Sequence, residues 1–391
     1  MASTLVINPG SSSRKYALFV DARVVLELRF ESTDNGFEVC TNINGTKQIC
    51  EPVTKREFTD SFDRVKTEVN EYLHRNSPGC KLDKIVVRIV APGTFFQQHR
   101  LIDDAFVAEL ESRKTFSPLH IPIILREISN ARKGFKNQRI VAASDSAFHA
   151  TMPPRARNYS IHRADVAEYD LHRFGYHGLS VASILRRIHP LIGIDPERLV
   201  VCHVGNGASV TAVKNGKSID TTMGFSPATG VVMSSRGGDV DTAALLELMR
   251  VKHWRPIDAQ MYLNSKCGLA GLAGDADIRR LLDRRAQHDE EAVQALDVFA
   301  YHLQRAIAAQ AVALGGLDVL VLTATAAVRS SALREIILSG LSPLGVEISR
   351  ERNEVLVSKE GVISVRNSAV KVVVMRTDEM GEMAYVADLL T

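Results

Sequence analysis

The chain has almost no net charge: 48 Lys and Arg against 45 Asp and Glu leave +3 over 391 residues. So small an excess offers no extended basic face for a nucleic acid or an anionic membrane surface. Long apolar runs are missing as well, and no uninterrupted segment reaches the roughly 20 residues that a spanning helix needs. Met1-Ala2-Ser3-Thr4 leads directly into a strand-like run with no basic stretch and apolar helix, so no secretory signal is expected. The five cysteines (Cys40, Cys50, Cys80, Cys202, Cys267) are odd in number and scattered, without a Cys-x-x-Cys pair. Reduced thiols in a cytoplasmic protein, with no structural zinc, are the expectation. Two nucleotide signatures are also absent. No Gly-Lys-Ser/Thr leads into a helix, which excludes a Walker loop, and no Gly-x-Gly-x-x-Gly follows the first strand, which argues against a dinucleotide dehydrogenase. No low-complexity linker interrupts the chain.

What is present favours a large, well-packed α/β protein. Apolar residues are 45% and charged residues 24% of the chain, and the length suggests two or three domains. Leu5-Val6-Ile7-Asn8-Pro9 enters a Gly10-Ser11-Ser12-Ser13 turn, and Tyr16-Ala17-Leu18-Phe19-Val20 leaves it. This is a hairpin whose tip, with Arg14 and Lys15, can cradle an oxyanion or simply be a polar turn. Buried strands are expected at 85–90, at 140–145 ending in Asp145, at 199–204 and at 319–323. The third runs through Gly205-Asn206-Gly207 into 210–213, then Asn215-Gly216 and 219–222, a second strand–turn–strand with a Gly/Asn tip. Two such hairpins hint at one architectural unit used twice, although no sequence repeat accompanies them. A long helix is expected over 289–314, stopped by Gly315-Gly316, with further helices at 332–341 and 382–390 and a late strand at 372–375. Met152-Pro153-Pro154 marks the best boundary between domains.

Several segments, taken in order, resemble the acetate kinases, carboxylate kinases of the actin/hexokinase/Hsp70 superfamily. They are Asn8-Pro9-Gly10-Ser11-Ser12-Ser13, Ser117-Pro118-Leu119-His120, Asp145-Ser146-Ala147-Phe148-His149 and Arg173-Phe174-Gly175-Tyr176-His177-Gly178. They continue with His203-Val204-Gly205-Asn206-Gly207, Asp220 to Pro227, Arg236-Gly237-Gly238-Asp239 and Thr377-Asp378-Glu379. Each is weak alone, but the ordered set is specific. The resemblance implies two ribonuclease-H-like domains with an interdomain cleft. The first would cover 1–150, completed by 380–391, and the second, for nucleotide binding and dimerisation, 151–379. It also implies phosphoryl transfer from ATP to acetate or another short carboxylate, with Mg2+ (or Mn2+), in a homodimer that has no nucleic-acid or membrane partner.

The chemistry explains why such residues are needed. A carboxylate oxygen attacks a γ-phosphorus, both reactants are anions, and negative charge spreads over the equatorial oxygens. Catalysis is then mainly positioning and electrostatic stabilisation. By resemblance, Arg88 binds the carboxylate, and Arg236 and His177 stabilise the phosphoryl group. Asp145, the family's active-site acid or base, is better suited here to orient Mg2+ or its waters, because a carboxylate substrate has no proton to lose. Asn8 and Glu379 would hold Mg2+. Val90, Leu119, Tyr176 and Pro227 resemble the apolar pocket for the acyl end. Tyr176 stands where Phe is usual, which suggests a slightly more polar pocket. Lys15, His203, Val204, Gly205, Asn206, Gly207, Asp277, Ile278, Arg279 and Thr325 would bind the nucleotide. His120 and His149 also lie in matching motifs, and for His149 packing and function weigh about equally.

Two stretches depart from the family. The nucleoside loop, usually Gly-Ile-Gly-Glu-Asn, reads Thr325-Ala326-Ala327-Val328-Arg329, which puts the adenosine contacts in question. Around Arg88 the usual histidine and His-Gly are replaced by Val87, Ala91 and Pro92. Two rivals follow: the same chemistry with pyrophosphate as donor, or a non-catalytic relative that keeps the cleft for a ligand.

Overall fold

A computed structural model describes residues 2–10, 13–33, 36–46, 48–76 and 81–391. The tip serines Ser11 and Ser12 and the thiol of Cys80 lie outside the described residues. The chain divides into two compact units, one of residues 1–147 with 378–391 and the other of residues 148–377.

In the first unit the expected hairpin is present. Strand β1 (Ser3–Pro9) pairs antiparallel with β2 (Ser13–Val20), placing Asn8 opposite Lys15. Three more antiparallel strands extend that edge: β3 (Arg23–Thr33), β4 (Gly36–Ile43) and β5 (Ile49–Val53). On the other side β1 is joined in parallel by β6 (Lys84–Ile89), and β6 by β8 (Arg139–Ser144), with the short β7 (Arg100–Leu101) at the end. All seven residues of β1 are buried, so both faces of the sheet must be covered. The helices Ile121–Gly134 and Glu379–Leu390 both pack on β1 and β6. The last helix therefore begins three residues earlier than its apolar pattern indicated, because Asp378 caps it by accepting from the Gly381 N–H.

The second unit repeats this plan. Strand β9 (Arg198–Val204) folds back on β10 (Ala208–Lys214) and then β11 (Lys217–Thr221). Strands β12 (Val319–Thr323) and β14 (Lys371–Val374) add in parallel on the far side of β9, with β13 (Gly361–Val362) at the edge. Both sheets contain the order third–second–first–fourth–fifth: β3-β2-β1-β6-β8 and β11-β10-β9-β12-β14. The expected ribonuclease-H-like architecture is therefore built twice. Val181, Ile184 and Ile188 of the helix Gly178–Ile192 pack on Leu199, Val201, Val319, Val321 and Val373 to form a core. The long helix Glu290–Leu314 ends at Gly315, whose φ of 76° suits glycine.

Three local expectations change. Cys40 and Cys50 are disulfide-bonded rather than reduced, because β4 and β5 set them directly opposite each other. The helix expected over 332–341 is Ser331–Leu338, ended by Ser339-Gly340. The altered stretch after β12 is not a loop but a helix, Ala324–Arg329. Among the described residues no helix is long and apolar enough to cross a membrane.

Candidate active site

In the first unit β1, β6 and β8 run parallel, so their carboxyl ends share one edge, where α/β sheets present ligand-binding groups. Asn8 lies near the end of β1, Arg88 near the end of β6, and Asp145 just beyond β8, while Glu379 opens the last helix. The Arg88 guanidinium donates to Asp145 Oδ2 at 2.8 Å and to Asn8 Oδ1 at 3.2 Å, and lies 3.5 Å from Glu379 Oε2. The Asn8 amide donates to Glu379 Oε2 at 3.3 Å. Burial opposes the charge on Arg88, but Asp145 and Glu379 outweigh it and raise its pKa. Lys15 is half-buried nearby. Burial pushes its ammonium pKa down, Glu379 opposes this, and Arg29 and Arg88 add to the lowering. The sequence thus brings together Asn8, Lys15, Arg88, Asp145 and Glu379 within one unit.

This donor set fits Mg2+. It consists of hard oxygens from one amide and two carboxylates, with no thiolate or imidazole. Among the described residues no group of three or more His, Cys, Asp or Glu side chains could hold a metal. A cation here would have few protein ligands and would keep waters or phosphate oxygens, as Mg2+ prefers.

The second unit assembles a different cluster. His203 lies in β9, and its Nδ1 is 2.8 Å from Ser180 Oγ. His177, at φ 60°, starts the helix Gly178–Ile192, and its Nδ1 is 3.0 Å from Ser209 Oγ. The two imidazoles stack with centroids 4.0 Å apart. The turn Gly205-Asn206-Gly207 closes with Gly205 N–H donating to Gly207 O at 2.9 Å. A Cβ on Gly207 would lie 3.3 Å from both Arg236 Nη1 and His177 Nε2, so a guanidinium and an imidazole both come close to the backbone of this turn. Arg236 is held by donating to Pro227 O at 3.1 Å. Such a convergence of donors suits an anion whose charge grows during reaction.

Other expected positions fall out as follows. Tyr176 is buried and donates its hydroxyl to Phe225 O at 2.7 Å, so that proton is turned to the backbone. Pro227 belongs to the same unit as Tyr176, while buried Val90 and half-buried Leu119 belong to the first unit. His149 Nδ1 lies 2.9 Å from Ser218 Oγ and its Nε2 2.9 Å from Tyr176 O. His120 Nδ1 is 3.3 Å from Ser117 Oγ. Asp277 caps the helix Ile278–Ala286 and pairs with Arg279 at 2.6 Å, while Ile278 is buried. Thr325 and Arg329 are exposed on the helix Ala324–Arg329, whereas Ala327 and Val328 are buried. Positive φ falls at Ala324 (69°), not at the positions where glycines are usual.

Sequence reasoning missed Ser180 and Ser209. No local signal pointed to either: Ser180 meets His203 and Ser209 meets His177 across 23 and 32 residues. It also missed buried Arg334, which donates to the carbonyls of Ala327 (2.7 Å) and Val328 (3.2 Å) and so braces the altered helix. Burial pushes the Arg334 guanidinium down to about 10.

The Acetokinase family model matches residues 3–385. An acetate kinase of Streptomyces avermitilis is 36% identical over 392 residues, covering 97% of this chain and 95% of that protein. Crystal structures of an acetate kinase from Porphyromonas gingivalis and a propionate kinase from Francisella tularensis superpose with TM-scores of 0.85 and 0.90. Each is 28% identical and covers all of both chains.

Proposed function

The chain belongs to the acetokinase family and is a kinase with a carboxyl group as acceptor; we propose that it reversibly transfers the γ-phosphoryl group of ATP to acetate, with Mg2+. The observation that most supports this is the approach of Arg236 and His177 to the bare Gly207 turn. In the forward direction a carboxylate oxygen of the acceptor forms a bond to the γ-phosphorus as the bond from that phosphorus to the ADP oxygen breaks. Arg88 binds and orients the carboxylate, and Asp145, sharing that guanidinium, holds its fork in place. Arg236 and His177 stabilise the equatorial oxygens, with Ser209 orienting the imidazole through Nδ1. Asn8 and Glu379, with Asp145, would hold Mg2+, which when bound neutralises phosphate charge. Lys15, the 203–207 turn, Asp277, Ile278, Arg279 and Thr325 would bind the nucleotide. Val90, Leu119, Tyr176 and Pro227 would receive the acyl end. A cytoplasmic location and a homodimer complete the proposal.

Pyrophosphate as donor is the second reading. It is favoured by one feature, the exposed Thr325 and Arg329 on a helix where the family has its nucleoside loop. One assay tests both: a hydroxamate trap for acyl phosphate with acetate, propionate and butyrate against ATP, GTP and pyrophosphate. Acetyl hydroxamate made fastest with ATP supports the first reading, and a preference for pyrophosphate supports the second. No acyl phosphate with any pair overturns both and leaves a ligand-binding relative.

A further inference from the structure

The turn that presents Asp145 is held by a segment that no motif singles out. Ser144, the last residue of β8, donates its backbone N–H to His99 Nδ1 at 3.1 Å and its hydroxyl to Phe96 O. The same hydroxyl accepts the Ser146 N–H at 3.3 Å. The Asp145 N–H is taken by Ile89 O at 2.9 Å, continuing the pairing of β6 with β8. Both neighbours of Asp145 are thus tied, directly or through one hydroxyl, to the segment 96–99. An imidazole nitrogen that accepts from an amide carries no proton, so the neutral ring has its proton on Nε2. The surroundings agree: burial pushes the His99 pKa down, against the pull of the Glu382 and Asp145 carboxylates. Glu382 is itself buried, on the last helix.

We propose that His99 is a positioning residue for Asp145, its Nδ1 lone pair fixing Ser144 and through it the turn that aims the Asp145 carboxylate at Arg88. The inference rests on the phosphoryl-transfer reading, in which the Asp145–Arg88 contact orients the acceptor. It differs from a packing role in a specific way, because it requires an acceptor at one ring position. Asparagine can place an acceptor near Nδ1, whereas glutamine reaches toward Nε2 and leaves Nδ1 empty.

The test compares His99→Asn, His99→Gln and His99→Ala in the hydroxamate assay with acetate and ATP, alongside thermal unfolding. Loss of an outer-shell partner of this kind lowers activity by about 10–100-fold. His99→Ala and His99→Gln should lose at least tenfold in kcat with the KM for ATP little changed, and His99→Asn should recover most of that loss. Equal kcat for the Asn and Gln variants, both folded, would overturn the inference, and so would a His99→Ala variant as active as the parent. If His99→Ala does not fold, the Asn–Gln comparison decides. A second readout is independent of turnover: nitrogen NMR of the parent should show His99 with an unprotonated Nδ1 and a protonated Nε2, and the opposite tautomer would sink the proposal. A parent chain that makes no acyl phosphate would remove the phosphoryl-transfer reading, and the NMR result would still report on the brace.

Discussion

Arg88 and Arg236 are both half-buried cations, but they are held in different ways. Arg88 is locked by the side chains of Asp145 and Asn8, Arg236 by the backbone of Pro227. Replacing either with Ala should lower kcat by about two orders of magnitude or more, the usual result of losing a preorganised donor to developing charge. Folded variants with near-parental rates would remove them from the mechanism. Tyr176 leads to a prediction about stability rather than specificity. Tyr176→Phe leaves the Phe225 carbonyl without its donor and should cost about 1–3 kcal/mol in denaturant unfolding. The ratio of kcat/KM for acetate and propionate should hardly move, because the hydroxyl is already turned to the backbone. A changed ratio with unchanged stability would place that hydroxyl in the acyl pocket after all.

The helix Ile278–Ala286 begins in a web of charge. Arg280 grips Asp275 through Nε at 2.6 Å and Nη2 at 2.8 Å, and this holds the Asp275 carboxyl at about 2, below its ordinary 3.8. A depressed carboxyl stabilises the fold above its unfolded pKa, and that contribution is lost as pH falls from about 4 to about 2. Arg280→Ala should therefore cost about 1–2 kcal/mol at pH 7, the pair being partly exposed, and almost nothing near pH 2. A cost that does not vary with pH would mean that Arg280 acts by packing. The helix Ala324–Arg329 poses the question of the donor. Its buried residues and the Arg334 brace hold the backbone, and Thr325 and Arg329 are its exposed positions. Thr325→Gly with Arg329→Asn should raise the kcat/KM preference for ATP over pyrophosphate by about tenfold, equal to about 1.4 kcal/mol of differential binding. An unchanged preference would show that this face does not touch the donor.

At the scale of the whole molecule, the helix Thr242–Lys252 runs for 11 residues without a buried one. Leu246 is 59% exposed, Val251 50%, and Met261 of the helix Pro256–Ser265 52%. Burying such apolar surface against a second copy would account for it. Leu246→Glu combined with Met261→Glu should convert a dimer to monomer in light scattering. A chain that is monomeric before mutation would remove the dimer from the proposal, and a double variant that stays dimeric would place the contact elsewhere.

Local pattern in the sequence was enough to locate the two hairpins, the parallel strands, the long helix with its Gly315-Gly316 stop and the ordered motifs that carry the family likeness. These depend on period, propensity and turn chemistry, which act over a few residues. The partners that hold the candidate site depend on which strands become neighbours. Cys40 meets Cys50 only because β4 pairs with β5, and Ser209 reaches His177 only because β10 folds back on β9. The same holds for Arg334 on the Ala327 carbonyl and His99 on Ser144, contacts between segments 7 and 45 residues apart. A buried polar group must find a partner wherever the packed chain supplies one. Which one it finds was decided by the tertiary structure, because burial is a property of the assembled sheets and helices, not of the residue or its neighbours in sequence.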